Sequence, residues 1–303
     1  MTAVWFESSM SDDDRRKHLY NGDIFMYAPR EPSLELVQLA RELLTEAFGG
    51  TDPRTAQHRL QVHEFAQILA DVKPRFIHHP RCKQIIPALL ESLGCDPDQV
   101  YFDVPRLRSA TSGDYLKTGI AYQFHAHRDT WYSAPMCQIN WWLPVYDISP
   151  ENGMAFHPKY FAQGVRNGSA SYNYQKWVAE SRYAAVKQIG KDERPQPHIE
   201  EPVELDDLRL TAPVGGVMVF SAAHLHSSVE NRTGVTRYSI DFRTVHRGDV
   251  EQEIGAPNVD SYCTGTTMGD YLRCRDLVHF EDDLIQRYMP GHPQRPAALA
   301  RTA

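Results

Sequence analysis

Three stretches of this chain gather the residue types that do chemistry. The first is Phe124-His125-Ala126-His127-Arg128-Asp129-Thr130-Trp131. Read as a strand over 119–129, alternation sends His125, His127 and Asp129 to one face and Ala126 and Arg128 to the other. Imidazoles and a carboxylate are costly in a dry core unless each has a partner, although a lone His-x-Asp is more often a solvated strand edge. In the second stretch, a hydrophobic strand from Val217 runs into His224 and His226. The third is a strand that places Arg237, Ser239 and Asp241 on one face. Together they supply two neutral imidazoles and a carboxylate, the set that holds iron on one side and leaves three positions open. A keto acid such as 2-oxoglutarate chelates Fe(II) through its 1-carboxylate and 2-oxo group, leaving one position for O2. Its far carboxylate then needs a bidentate cation, for which Arg237 is suited, with Ser239 as a second donor.

Two other classes compete with this reading. A cupin-like metal-dependent hydrolase or isomerase would use the same ligands without a keto acid, but has no use for the Arg237 and Ser239 clamp. A binding module that kept the fold and lost the chemistry would not need all three ligands intact.

These residues need elements to bring them together. Ser33 is positioned to cap a helix whose apolar residues Leu36, Leu39, Ala40, Leu43, Leu44, Ala47 and Phe48 recur at helical spacing, with Gly49 and Gly50 as its stop. A second helix carries Val62, Phe65, Ala66, Leu69 and Ala70 and ends before Pro74; a third covers about 81–93. After Pro97 the pattern changes to short segments rich in Val, Ile, Phe, Tyr and Trp, predicting strands at 99–107, 119–127, 136–145, 216–220 and 236–245. A polar, Tyr-rich stretch at 166–210 lacks strand alternation and is a candidate lid. The expected fold is α+β and mainly β: a double-stranded β-helix, or cupin-like jelly roll, with supporting N-terminal helices. It forms a single domain over 1–288, helical over 1–97, with its jelly-roll core at 98–165 and 211–248. Residues 289–303, with three prolines and no apolar period, read as a tail.

Composition narrows the partners. Among 303 residues, 32 are basic and 39 acidic, a net charge of −7 with no Lys/Arg block, which disfavours nucleic acid. No run approaches the roughly 20 apolar residues of a membrane span, and the acidic N-terminal stretch Asp12-Asp13-Asp14 lacks the apolar segment of a secretory signal, so a cytoplasmic location is expected. Five cysteines without a CxxC pair fit reduced thiols. The expected partner is a small molecule; oligomeric state is not encoded in any motif.

The motifs resemble one known family. His127-Arg128-Asp129, the run Asn140-Trp141-Trp142-Leu143-Pro144 through Ser149-Pro150-Glu151-Asn152-Gly153-Met154, and His226-Ser227-Ser228-Val229-Glu230-Asn231 with Arg237 look like the phytanoyl-CoA dioxygenase family of Fe(II)/2-oxoglutarate oxygenases, which includes ectoine hydroxylases. The resemblance covers about 104–244. It implies His127, Asp129 and His226 as metal ligands, because Asn231 and Arg237 follow His226, and not His224, at the family's spacing. It also implies Asn140, Arg237 and Ser239 as cosubstrate contacts. His125, Trp131, Arg106, Arg108 and His224 are then candidate substrate contacts or supports of the ligands. The implied reaction couples decarboxylation of 2-oxoglutarate to oxidation of an aliphatic C–H by O2, with hydroxylation the default outcome and cyclisation or desaturation as variants. Halogenating relatives lack the carboxylate that Asp129 supplies here. Phe156-His157-Pro158-Lys159-Tyr160 departs from the family's Pro-Gly-Ser-His element, so the family's substrates do not carry over.

Overall fold

A computed structural model of the chain describes residues 2–121, 125–181, 187 and 189–289. The expected tail, apart from Met289, lies outside these residues, as does part of the strand expected at 119–127. In chain order the elements are β1 (Val4–Phe6), α1 (Asp12–Tyr20), β2 (Ile24–Tyr27), α2 (Glu31–Ala47), α3 (Val62–Ile77), α4 (Cys82–Ser92), β3 (Val100–Phe102), β4 (Arg106–Ala110), β5 (Ile139–Pro144) and β6 (Met154–Phe156). There follow α5 (Tyr174–Glu180), β7 (Leu208–Leu210), β8 (Val217–Ser221), β9 (His226–Ser228), β10 (Arg237–His246), α6 (Arg247–Gln252), β11 (Leu272–Arg273) and α7 (Asp282–Arg287). Among the described residues no helix is long and apolar enough to cross a membrane.

Among the described residues the strands form two sheets. The larger runs β1-β2-β8-β5-β10-β3-β11, with β4 pairing beside β3 along β10; the smaller runs β7-β6-β9. The first hundred residues are therefore not helical throughout, because β1 and β2 join the large sheet, β2 pairing antiparallel with β8. Ile24-Phe25-Met26-Tyr27 is a buried apolar run, which periodicity alone cannot assign to helix or strand.

Other boundaries differ for local reasons. Helix α2 starts two residues before Ser33, with Pro32 in its first turn, and the Ser33 hydroxyl reaches back to accept the Arg30 N–H at 2.8 Å. Helix α3 passes through Pro74 and ends at Ile77; a proline in the last turn forfeits one backbone bond, which burial of Phe76 offsets. The 99–107 segment splits into β3 and the start of β4. The end of the 166–210 stretch is strand β7, paired with β6, so this part belongs to the small sheet. Its earlier part is held to the C-terminal segment: Tyr174 N donates to the Thr264 carbonyl and Gln175 Nε2 to that of Thr266.

Burial separates the two faces of the large sheet. On one, Tyr238, Ile240 and Phe242 of β10, Trp141 and Leu143 of β5, and Val217 and Val219 of β8 join Leu36, Leu44, Phe65, Leu69, Ile86 and Leu89 of α2, α3 and α4 in one core. Between the sheets, Ile24, Met26, Trp142, Met218 and Phe220 meet Met154 and Phe156 of the small sheet in a second core. Beside this smaller core lies the polar face of β10, with Arg237, Ser239, Asp241 and Arg243 at alternate positions.

Candidate metal and cosubstrate site

Among the described residues of 119–129 no strand forms. Residues 119–121 and 129–132 form 3-10 turns, and His127 makes an isolated bridge to His226. That bridge joins the two histidine motifs. His127 N donates to the His226 carbonyl at 3.0 Å, and His226 N to the His127 carbonyl at 2.9 Å. With Asp129 two residues further on, at the start of the 3-10 turn, the three side chains offer ligand atoms that all lie within 4.8 Å of one another.

The two histidine pairs are built alike. His127 Nδ1 lies 2.8 Å from the His125 carbonyl, and His226 Nδ1 lies 2.9 Å from the His224 carbonyl. Each second histidine thus donates its Nδ1–H to the backbone two residues earlier, leaving Nε2 as the lone-pair donor that a divalent metal needs. Burial, followed by the positive charge that His127 would carry, pushes His226 down to about 3, so its imidazole is neutral at ordinary pH. Burial alone would raise the Asp129 carboxyl, but its contact with the His127 ring and the charge of Arg243 outweigh it, keeping the group ionised.

The other histidines contribute backbone. His125 is exposed. His224 is fully buried, packed between Phe156 and Phe161, and its Nε2 lies 2.8 Å from the Gly22 carbonyl. Gly22 has φ +92°, and a Cβ there would come within 2.8 Å of the Phe161 ring, so this contact requires glycine. Trp131 is buried in a small core with Ala126, Tyr160, Val165 and Leu225, and its indole donates to Asp260 at 2.8 Å. Tyr132 instead sets its ring 5.6 Å from His127, and Phe220 sets its own 5.0 Å from His226.

Arg128 turns inward rather than toward solvent. Its guanidinium pairs with Asp260 at 3.0 Å and donates to the carbonyls of Ala223, Tyr160 and Gln163, tying the loop between the ligands to the approach to His226.

On the polar face of β10, Arg237 is buried with one donor on the Gly153 carbonyl at 3.2 Å, and its Nε has no partner among the described residues. Burial, the largest influence, lowers it to about 10, so it keeps its charge at neutral pH. The Ser239 hydroxyl is likewise buried without a partner among the described residues. Unsatisfied donors in a buried place are costly, and an incoming dicarboxylate would satisfy both. Neighbouring charges are already paired: Arg108 grips Asp241 at 2.6 and 3.2 Å, Arg106 pairs with Asp103, and Arg243 pairs with Asp103 at 3.0 Å and lies 3.6 Å from Asp129. Asn140 stands opposite Arg243 in the register of β5 and β10. Asn231 is buried and structural, donating to the Ala110 and Val235 carbonyls.

Arg243, Gln138, Tyr132 and Tyr271 were not selected by motif. Arg243 was the most accessible of these to sequence reasoning, since it continues the alternation of Arg237, Ser239 and Asp241.

This chain matches no known family profile and no curated protein sequence. Solved structures similar to it include AviO1 from Streptomyces viridochromogenes Tue57, at 14% identity over 78% of this chain and 96% of that one, with a TM-score of 0.37. The non-heme alpha-ketoglutarate-dependent epimerase SnoN from nogalamycin biosynthesis aligns at 14% identity over 77% and 84%, TM-score 0.38. The non-heme monooxygenase ThoJ aligns at 14% identity over 85% and 84%, TM-score 0.37.

Proposed function

We propose that this chain is a non-haem Fe(II)- and 2-oxoglutarate-dependent oxygenase, acting on an aliphatic C–H of a small polar metabolite. The observation that carries the proposal is a juxtaposition. A His127-Asp129-His226 triad, with the Nδ1 of each imidazole turned onto a backbone carbonyl, stands close to Arg243, on the same β10 face as buried donors of Arg237 and Ser239 that lack partners among the described residues.

His127, Asp129 and His226 would hold the iron, and Arg237 with Ser239 the far carboxylate of 2-oxoglutarate, Asn140 adding a donor beside the metal. Iron with this cosubstrate supplies activation of O2 coupled to loss of CO2 and formation of succinate. The chain's own residues do the positioning: the backbone bridge sets the imidazoles, the His125 and His224 carbonyls set their tautomers, and Arg128 with Asp260 fixes the loop. Tyr132, stacked edge-on with Tyr172 at 5.2 Å, forms an aromatic wall beside the ligands for substrate. Asp129 would supply a metal ligand where a halide would otherwise bind, so the expected outcome is oxygenation, cyclisation or desaturation, without halogenation. The two sheets with an apolar layer between them support a double-stranded β-helix, and the motif residues support kinship with the phytanoyl-CoA dioxygenase family.

An anaerobic titration of Fe(II) and 2-oxoglutarate tests this. A weak visible charge-transfer band should appear only when both are present, and substrate-stimulated succinate release identifies substrates in a metabolite screen. Metal binding without a band would favour the hydrolase or isomerase.

A further inference from the structure

We infer that Gln138 is a positioning residue that ties the metal ligand Asp129 to the cosubstrate donor Asn140, an inference resting on the oxygenase reading above. Gln138 sits just before β5 and is buried. Its backbone is fixed at both ends, its N–H donating to the Pro135 carbonyl at 2.9 Å and its carbonyl accepting from Ala222 N at 3.0 Å.

The carboxamide has different partners at its two ends. Its Oε1 accepts the Tyr271 hydroxyl at 2.7 Å. Its Nε2 donates to Asn140 Oδ1 at 2.9 Å and to Asp129 Oδ2 at 3.3 Å. The opposite orientation would set a carbonyl oxygen against a carboxylate, so the contacts admit only one.

Two consequences follow. Oδ2 of Asp129 is occupied by Gln138 and faces Arg243, whereas Oδ1 lies 3.4 Å from His127 Nε2, on the side of the triad. The carboxylate therefore presents one oxygen to a metal. Asn140, with its own oxygen committed to Gln138, turns its NH2 end outward as a donor, the polarity that a bound carboxylate requires. One amide thereby sets the orientation of groups serving two different ligands. Binding at either should report on the other, and the coupling must be reciprocal.

The test uses Co(II) as an oxygen-inert probe of the metal site, with 2-oxoglutarate titrated calorimetrically onto the Co(II)-loaded protein. Gln138→Leu should weaken both Co(II) and 2-oxoglutarate by about tenfold to a hundredfold, the usual effect of losing a partner behind a ligand. Asn140→Ala should weaken 2-oxoglutarate alone, and the double variant should be little worse for 2-oxoglutarate than either single one. In the iron-loaded protein, Gln138→Leu should also shift the charge-transfer band, which lost packing elsewhere would not move. Wild-type affinities in Gln138→Leu, or strictly additive effects with Asn140→Ala, would overturn the inference. Should Gln138→Leu not fold, Tyr271→Phe removes only the hydroxyl that orients the amide and should weaken both ligands in the same direction by a smaller factor; unchanged binding there would equally overturn it. Wild-type protein that binds neither probe would overturn the oxygenase reading itself, a separate result.

Discussion

The two faces of β10 carry opposite designs on one backbone. Tyr238, Ile240 and Phe242 are wholly buried against the helices, and Trp141 stacks on Phe242 at 5.8 Å and 3°. Arg237, Ser239, Asp241 and Arg243 alternate with them and face a site where donors are left unpartnered and charges are shared among several groups. The first face gains free energy from apolar area removed from water. The second spends part of that gain on polar groups whose partners arrive only with ligands. Substitutions on the two faces should therefore be separable, one set changing stability and the other changing binding.

The largest effects belong to the triad. His226→Ala and Asp129→Ala should abolish metal retention and turnover in the folded protein, as read by metal analysis and assay. His224→Ala should retain iron but lose stability, because it empties a fully buried position and strands the Gly22 carbonyl. Iron lost from His224→Ala and kept by His226→Ala would place the ligands at the wrong histidine.

Across β10 the comparison is direct. Phe242→Ala should cost about 3–5 kcal/mol of unfolding free energy in urea, the range for emptying a buried aromatic position, without altering metal affinity in the folded fraction. Arg237→Ala should leave unfolding free energy within about 1 kcal/mol of wild type. It should weaken 2-oxoglutarate by about 3–5 kcal/mol, the cost of stranding one member of a buried charge pair, a factor of hundreds to thousands. An unaltered 2-oxoglutarate affinity would remove Arg237 from the clamp.

What was legible in the sequence follows the same division. The strand of Arg237 and Ser239 was readable because one face is apolar and the other polar, and a period of two survives in the letters. The His125–Asp129 segment misled the same rule. It is a loop whose histidines are aligned by a backbone bridge to His226 and by Nδ1 contacts to carbonyls, so neither its shape nor the inward turn of Arg128 is written in side-chain alternation. Trp131 reads from its place in the motif as a candidate substrate contact, yet the indole is committed to Asp260, a residue far along the chain that no spacing points to. Gln138 was silent for a related reason: an isolated glutamine before a strand signals nothing until Tyr271 and Asp129 are brought to its two ends.

The smallest expected effect lies where the helical layer reaches the polar face. Lys73, on α3, donates to the Ile120 carbonyl and sits close enough to Arg108 and Asp241 to feel both charges. Burial, reinforced by Arg108 and opposed by Asp241, lowers it to about 7 from an ordinary value of 10.5. Between those two pH values the unfolded chain holds a proton that the folded chain has released, so unfolding free energy rises with pH across that window, and below it the folded protein bears the whole cost of a buried charge. Lys73→Met removes the titrating group and keeps much of the apolar stem. Its gain in stability over wild type should be larger at pH 7 than at pH 9.5, measured as urea midpoints of the metal-free protein. A difference that stays constant between the two pH values would mean that Lys73 titrates as an ordinary surface lysine, and that the polar face ends at Arg108.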